Sequence, residues 1–223
     1  MVLFMTLTLY LPDEVHTQAL AQRLAAVLLP ALTQADAATA SPPVTARLHL
    51  KGELGSGKTT FARALLRAFG VTGRIKSPSY ALLESYKVSN LYLHHLDFYR
   101  FGKEHDWEDA GFRDVLQAQA LILVEWPEQA GALLPAPDLE LSLRYVQAQP
   151  KVDNAAVGGA TPGTGLDINP DTLTDTHTGR QAQLVARSTQ GQAWLTTLTH
   201  TLRTGPDPGG GVCLPLPPAP PPC

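Results

Sequence analysis

The period of apolar positions changes several times along the chain, and each change predicts an element. Thr6 to Tyr10 alternates polar and apolar as a half-buried strand does. Asp13 is the expected N-cap of a helix in which Val15, Ala19, Leu20, Leu24, Val27 and Leu28 share one face, with Pro30 as its end. Residues 33–45, rich in Ala, Thr, Ser and Pro, read as a loop, and Ala46 to Leu50 as a strand. Phe61, Leu65 and Phe69 then align on a helix over Thr60 to Phe69, with Gly70 as the stop. Ser79 to Tyr86 and Leu91 to Phe98 read as a hairpin turning at Ser89-Asn90. Glu104 to Leu116 has a weak helical pattern broken at Gly111. Leu121-Ile122-Leu123-Val124 is uniformly apolar, the mark of a central strand covered on both faces. Leu139 to Val146 alternates and is expected near the sheet edge, Gln181 to Arg187 pairs with it, and Gln192 to Leu202 closes the chain as a helix.

Composition narrows this picture. Residues 147–178 lose almost all bulky apolar side chains and read as a disordered insert, because too little apolar surface is available to offset chain entropy. From Gly205 the tail holds eight prolines and four glycines in 19 residues, which excludes a packed element. The expected organisation is a single domain over residues 1–203, followed by a Pro/Gly-rich tail at 204–223. Among 223 residues, 17 Lys+Arg against 20 Asp+Glu leave a formal charge of -3, so there is no general pull on nucleic acid. The apolar runs are too short for a membrane helix and no secretory signal is credible, so the cytoplasm is expected. The two cysteines, Cys213 and Cys223, both lie in the tail, so neither a disulfide framework nor a metal cluster organises the core.

One stretch carries the chemistry. Gly52-Glu53-Leu54-Gly55-Ser56-Gly57-Lys58-Thr59-Thr60 fits G-x-x-x-x-G-K-S/T in full, follows a strand and opens a helix. Glycines there let successive N–H groups point at a phosphate, and the helix dipole adds to the attraction. Lys58 is placed to reach the β- and γ-phosphates, and the Thr59 hydroxyl to hold Mg2+. A second acid at the end of a neighbouring buried strand would complete the metal site, and Glu125 is the stronger candidate because a carboxylate there needs a reason. Asp97 either orients the attacking water, contacts Mg2+ through water, or is a capping or salt-bridged residue. His95 on the same strand reads as structural. Arg100, Arg113 and Arg180 are available to neutralise γ-phosphate charge.

The ordered set Gly52 to Thr60, Lys76-Ser77-Pro78-Ser79-Tyr80, His95-x-Asp97-x-Tyr99-Arg100, Gly111-x-Arg113-Asp114 and Leu123-Val124-Glu125-Trp126-Pro127-Glu128 resembles the TsaE (formerly YjeE) family of P-loop ATPases. That family is required for threonylcarbamoyl-adenosine modification of tRNA position 37. The resemblance covers residues 7–146 and resumes near Arg180 to Leu202. It implies Mg2+ held by Thr59 and Glu125, and ATP phosphates held across Gly55, Ser56, Gly57, Lys58, Thr59 and Thr60. It also makes Asp97 important for turnover, Glu14 and Arg180 nucleotide neighbours, and Lys76 to Tyr80 a switch-like loop. Implied partners are TsaD and TsaB homologues, with tRNA reached only through that complex and no membrane contact. Ser79, where threonine is usual, keeps a hydroxyl.

The expectation is therefore an α/β, P-loop NTPase-like three-layer fold with a mainly parallel central sheet extended by antiparallel hairpin strands. Its expected function is Mg2+-dependent ATP hydrolysis, weak alone and stimulated by a partner, with Lys58, Asp97 and Glu125 as catalytic residues. Two rivals are a nucleotide-gated binding module without turnover and a small-molecule P-loop kinase in which Asp97 activates an acceptor hydroxyl.

Overall fold

The computed structural model describes residues 5–33, 44–101, 112–147 and 177–204. Most of the expected insert, the tail, and the Glu104 to Gly111 part of the weak helix lie outside the described residues. The elements are β1 (Thr6–Leu11), α1 (Glu14–Thr33), β2 (Ala46–Gly52), α2 (Lys58–Ala68), β3 (Leu83–Val88), β4 (Leu91–Asp97), α3 (Phe112–Gln117), β5 (Ala120–Glu125), a 3-10 segment (Pro127–Leu133), β6 (Leu139–Gln147), β7 (His177–Ala186) and α4 (Thr189–Thr204).

One seven-stranded sheet runs in the order β1-β7-β6-β2-β5-β4-β3. Its centre, β6-β2-β5-β4, is parallel, while β3 adds antiparallel to β4 and the β6–β7–β1 side is antiparallel. This is the mainly parallel α/β sheet with antiparallel extensions that the sequence pattern predicts. β5 is buried at every position, and its side chains divide between two cores. Leu121 and Leu123 join the large core under α1, α2 and α4, while Ala120, Ile122 and Val124 meet Phe112, Leu116 and Ala130 on the other face.

Among the described residues the second core draws on β3, β4 and β5, and the placing of β6 corrects one expectation. β6 alternates in burial, but it lies inside the sheet between β7 and β2 and not near the edge. Its alternation reports a strand buried on one face. The stretch 79–82 is likewise a turn and not the start of β3: Leu82 takes φ 64 and donates its N–H to the Pro78 carbonyl.

Helix ends follow local chemistry. Asp13 caps α1 by accepting the His16 N–H at 3.0 Å. The helix does not stop at Pro30 but continues through it to Thr33. Pro30 is exposed and costs one backbone bond near the end, while Leu32 in the last turn is buried in the core and holds that turn down. Val15, expected on the apolar face, is exposed, and Thr17, Ala21 and Ala25 are buried in its place. At the end of α2 the Gly70 N–H reaches Arg67 O and the Val71 N–H reaches Leu66 O, a complete Schellman motif.

The start of α4 is fastened at Asp138. Its carboxylate accepts the Arg47 N–H at 2.9 Å and the Ser188 hydroxyl at 2.6 Å, and its carbonyl accepts the Arg187 N–H. Gly191 packs so closely that an added Cβ would overlap the Asp138 carbonyl. Gly191→Ala is therefore expected to lower the unfolding free energy by about 1–3 kcal/mol in urea titration. Wild-type stability in that variant would refute the close approach.

His49 on β2 gives the fold a pH dependence. Burial pushes its imidazole down to about 4; Glu140 opposes that shift, and Lys51 and Arg47 reinforce it. The unfolded chain takes up this proton at the ordinary value near 6.5, so the stabilisation is complete above that pH and is lost as pH falls toward 4. The unfolding free energy from urea titration should drop on acidification through this window, by about 3 kcal/mol from His49 alone. His49→Leu should flatten the curve there, and an unchanged slope would remove His49 as the cause.

Candidate functional site

β2 ends at Gly52 and the chain turns through the glycine-rich loop into α2, so the loop sits at the carboxyl ends of the parallel strands. Gly57 precedes the helix with φ 107, a left-handed conformation that favours glycine, and a Cβ added there would come within 3.3 Å of Arg180 Nε. Tyr145, on β6, donates its hydroxyl to the Gly55 carbonyl at 2.6 Å. Arg180 pairs with Tyr145 across β6 and β7, so this strand pair meets the loop at both Gly55 and Gly57.

A cleft of about 480 Å³ opens over the loop, lined by Leu54, Gly55, Gly57, Lys58, Thr59, Thr60, Ser77, Ser79, Asp97, Tyr99, Arg100, Glu125 and Trp126. The two acids arrive on adjacent parallel strands in register, Asp97 opposite Glu125, both directed to the α2 side. The Thr59 hydroxyl donates to Glu125 Oε2 at 2.9 Å. His95, two residues before Asp97 and fully buried, lies 2.9 Å from Glu125 Oε1 through its Nε2. Asp97 accepts the Ser77 hydroxyl on Oδ2 at 2.9 Å and the Tyr99 N–H on Oδ1 at 3.0 Å. The Tyr99 bond is the capping contact one of the sequence readings allowed, and the Ser77 bond ties the acid to the loop before β3.

Lys58 Nζ donates to the Gly52 and Glu53 carbonyls at 2.7 and 2.8 Å and lies 3.9 Å from the centre of the Trp126 ring. Burial pulls its ammonium below the usual lysine range, against the opposing pull of Glu125, Glu128 and Asp97. Trp126 reaches this position because the chain turns left-handed, φ 55, directly after β5. Arg100 lines the cleft and stacks at 4.1 Å over the exposed ring of Tyr80.

The structure thus brings Gly55, Gly57, Lys58, Thr59, Thr60, Asp97 and Glu125 together in one cleft. Ser56 lies beneath the loop, fully buried. Glu14 is not in the cleft; it lines an adjoining recess between α1 and α2 with Gln18, Gln22, Arg63 and Arg67, and that recess shares Thr60 with the cleft. The side chain of Arg113 lies outside the described residues. Tyr145 and the His95 contact were not assigned roles from the sequence, and Ser77 entered only as part of the switch-like loop. Only the period-2 offset from Asp97 could have placed His95 on the same face.

The model of the family described as threonylcarbamoyl adenosine biosynthesis protein TsaE matches residues 11–152, which includes the whole loop and both acids. The chain belongs to the TsaE family. Among curated relatives, the tRNA threonylcarbamoyladenosine biosynthesis protein TsaE of Haemophilus influenzae is 32% identical over 140 residues, covering 63% of this chain and 83% of that protein. The protein of that name in Rickettsia felis is 39% identical over 98 residues, 44% of this chain and 57% of the relative. For that of Bacillus subtilis the identity is 34% over 97 residues, 44% and 60%. The last two matches span less than two thirds of the relative. The crystal structure of Bacillus subtilis YdiB superposes with a TM-score of 0.60 over 90% of this chain and 98% of that one; at 18% identity it speaks for the fold alone. The match to the TsaE model ends before Arg180, so that residue is tied to the loop by its position against Gly57.

Tyr145→Phe should release the Gly55 carbonyl at a cost of about 1 kcal/mol and speed amide exchange across residues 55–58 roughly fivefold. Hydrogen exchange with mass spectrometry checks this, with β5 amides as the unaffected reference. Equal protection in both proteins would show that the hydroxyl does not brace the loop.

Proposed function

We propose that this TsaE-family chain is a Mg2+-dependent ATPase that supports threonylcarbamoyladenosine modification of tRNA by acting on TsaB- and TsaD-type partners. The observation that carries the reading is the Thr59–Glu125 hydrogen bond at the mouth of the phosphate loop, with Lys58 and Asp97 in the same cleft. A hydroxyl and a carboxylate are hard oxygen donors of the kind Mg2+ prefers, and both belong to elements held by the core, so the residues fit the ion. Bound there between Thr59 and Glu125, Mg2+ would neutralise charge on the β- and γ-phosphates.

The protein supplies the rest. Amides of Gly55 to Thr60 and the amino end of α2 favour the phosphate oxygens. Lys58 must exchange its two carbonyl contacts for the γ-phosphate, where its charge counters that developing on the equatorial oxygens. Asp97, already oriented by Ser77 and Tyr99, accepts a hydrogen bond from the attacking water and holds it in line. Water adds to the γ-phosphorus, the bond to the bridging oxygen breaks, and ADP and phosphate leave. Among the described residues no helix is long and apolar enough to cross a membrane. The choice of TsaB and TsaD rests on the family resemblance.

Phosphate release from Mg-ATP by the chain alone and with purified TsaB and TsaD tests this reading. Partner-stimulated release should fall about 100-fold or more in Lys58→Ala. In Asp97→Ala the turnover should fall by a similar factor while ATP affinity stays within about threefold. Equal loss of binding and hydrolysis in Asp97→Ala would sink the assigned role. Tight ATP binding without release, even with the partners, would favour the gated-module reading.

A further inference from the structure

The function just proposed leaves His95 without a task, and its surroundings do not explain it. It sits on β4, on the sheet face that carries Leu91, Leu93, Leu121 and Leu123 into the large core, and its side chain is 0% exposed. Burying an imidazole among leucines is unfavourable unless its nitrogens are bonded. Nε2 meets Glu125 Oε1 at 2.9 Å, but Nδ1 is buried with no hydrogen-bond partner among the described residues. A side chain kept only for packing would be better served by an apolar one of similar size. The polar contact His95 makes is with a carboxylate that faces the phosphate cleft.

We infer that His95 is a positioning residue for the metal carboxylate: it holds Glu125 Oε1 so that Oε2, beside the Thr59 hydroxyl, is the oxygen presented to Mg2+. An ionised carboxylate only accepts, so His95 donates from Nε2 and Nδ1 is bare. Glu125 is then held at both oxygens, by His95 from β4 and by Thr59 from the first turn of α2. With its torsions set in this way, the carboxylate does not reorganise when the ion arrives. Without His95, Oε1 is buried unsatisfied, and the carboxylate is free to rotate toward whatever donor it finds. Outer-shell partners of this kind typically alter metal affinity by about 10- to 100-fold. The inference rests on the Mg2+ assignment made above to Thr59 and Glu125.

The test separates the two claims by measuring binding of a fluorescent ADP to the full chain, in EDTA and across a Mg2+ titration. The amide nitrogen of Gln at position 95 overlays Nε2 and still reaches Glu125, whereas that of Asn stops near Nδ1. His95→Asn should raise the Mg2+ concentration for half-maximal enhancement of ADP binding by about 10-fold or more, with affinity in EDTA within about twofold. His95→Gln should stay within about threefold of wild type in both. Both variants keep a polar side chain, and thermal unfolding verifies that they fold alike. An unshifted Mg2+ titration in His95→Asn, or equal shifts in both variants, would overturn the positioning role. If ADP binding by the wild-type chain ignores Mg2+, the metal assignment itself falls, and this inference with it.

Discussion

A carboxylate buried at the tip of an all-apolar strand is the constraint around which this structure is arranged. Glu125 is 1% exposed at the end of β5, the strand that lies between β2 and β4 and is covered on both faces. An ionised group in such a place is strongly destabilising without donors, and two side chains supply them from different elements. Thr59 comes from the first turn of α2, and His95 from β4. The acid therefore does two jobs. It ties the phosphate-loop helix to the neighbouring strand of the sheet, and it lines the cleft in a fixed position.

The second dependence runs through the antiparallel side of the sheet. A phosphate loop needs its amides aimed inward, and the glycines that permit this also leave the loop soft. In this chain the stiffness comes from β6 and β7: Tyr145 holds the Gly55 carbonyl, and Arg180 fills the space beside Gly57. Those strands are held below by Asp138, which bonds to β2 and to the start of α4. The extension of the parallel sheet is thus part of the site. Pairing along β6 and β7 transmits the rigidity of the core to a loop that has little of its own.

Local pattern made much of this legible. The unbroken apolar run at Leu121 to Val124, followed at once by Glu125, announced both the central strand and the acid. The glycine pattern around Lys58 located the cradle, and Gly70 marked the end of α2. What escaped were features decided by distant partners. The alternation in β6 was read as an edge because sequence shows only how many faces are buried and not which strands lie on either side. Pro30 was read as a stop, although one lost bond on an exposed turn is outweighed by Leu32 entering the core. Glu14, which the resemblance places beside the nucleotide, lines a recess that adjoins the cleft at Thr60. His95 looked like an ordinary core residue until its ring was seen against Glu125.

The resting cleft also satisfies its own reactive groups. Lys58 is bonded to two loop carbonyls and covered by Trp126, and Asp97 is engaged by Ser77 and Tyr99. A phosphate that recruits Lys58 must replace bonds that already exist, so the net gain is the difference between two charge-assisted arrangements and not the whole of the new one. The groups released by that exchange are the Gly52 and Glu53 carbonyls, the indole of Trp126 and, if Asp97 turns to water, the hydroxyl of Ser77. All of them belong to segments that border the cleft, and Leu54, Tyr80 and Tyr99 beside them are already exposed. On the proposed function, a phosphate in the site would therefore have to be accommodated by the outer rim of the cleft. On that same reading, a partner that seated on the rim and favoured the displaced arrangement would, by reciprocity, lower the cost of moving Lys58 from its resting contacts.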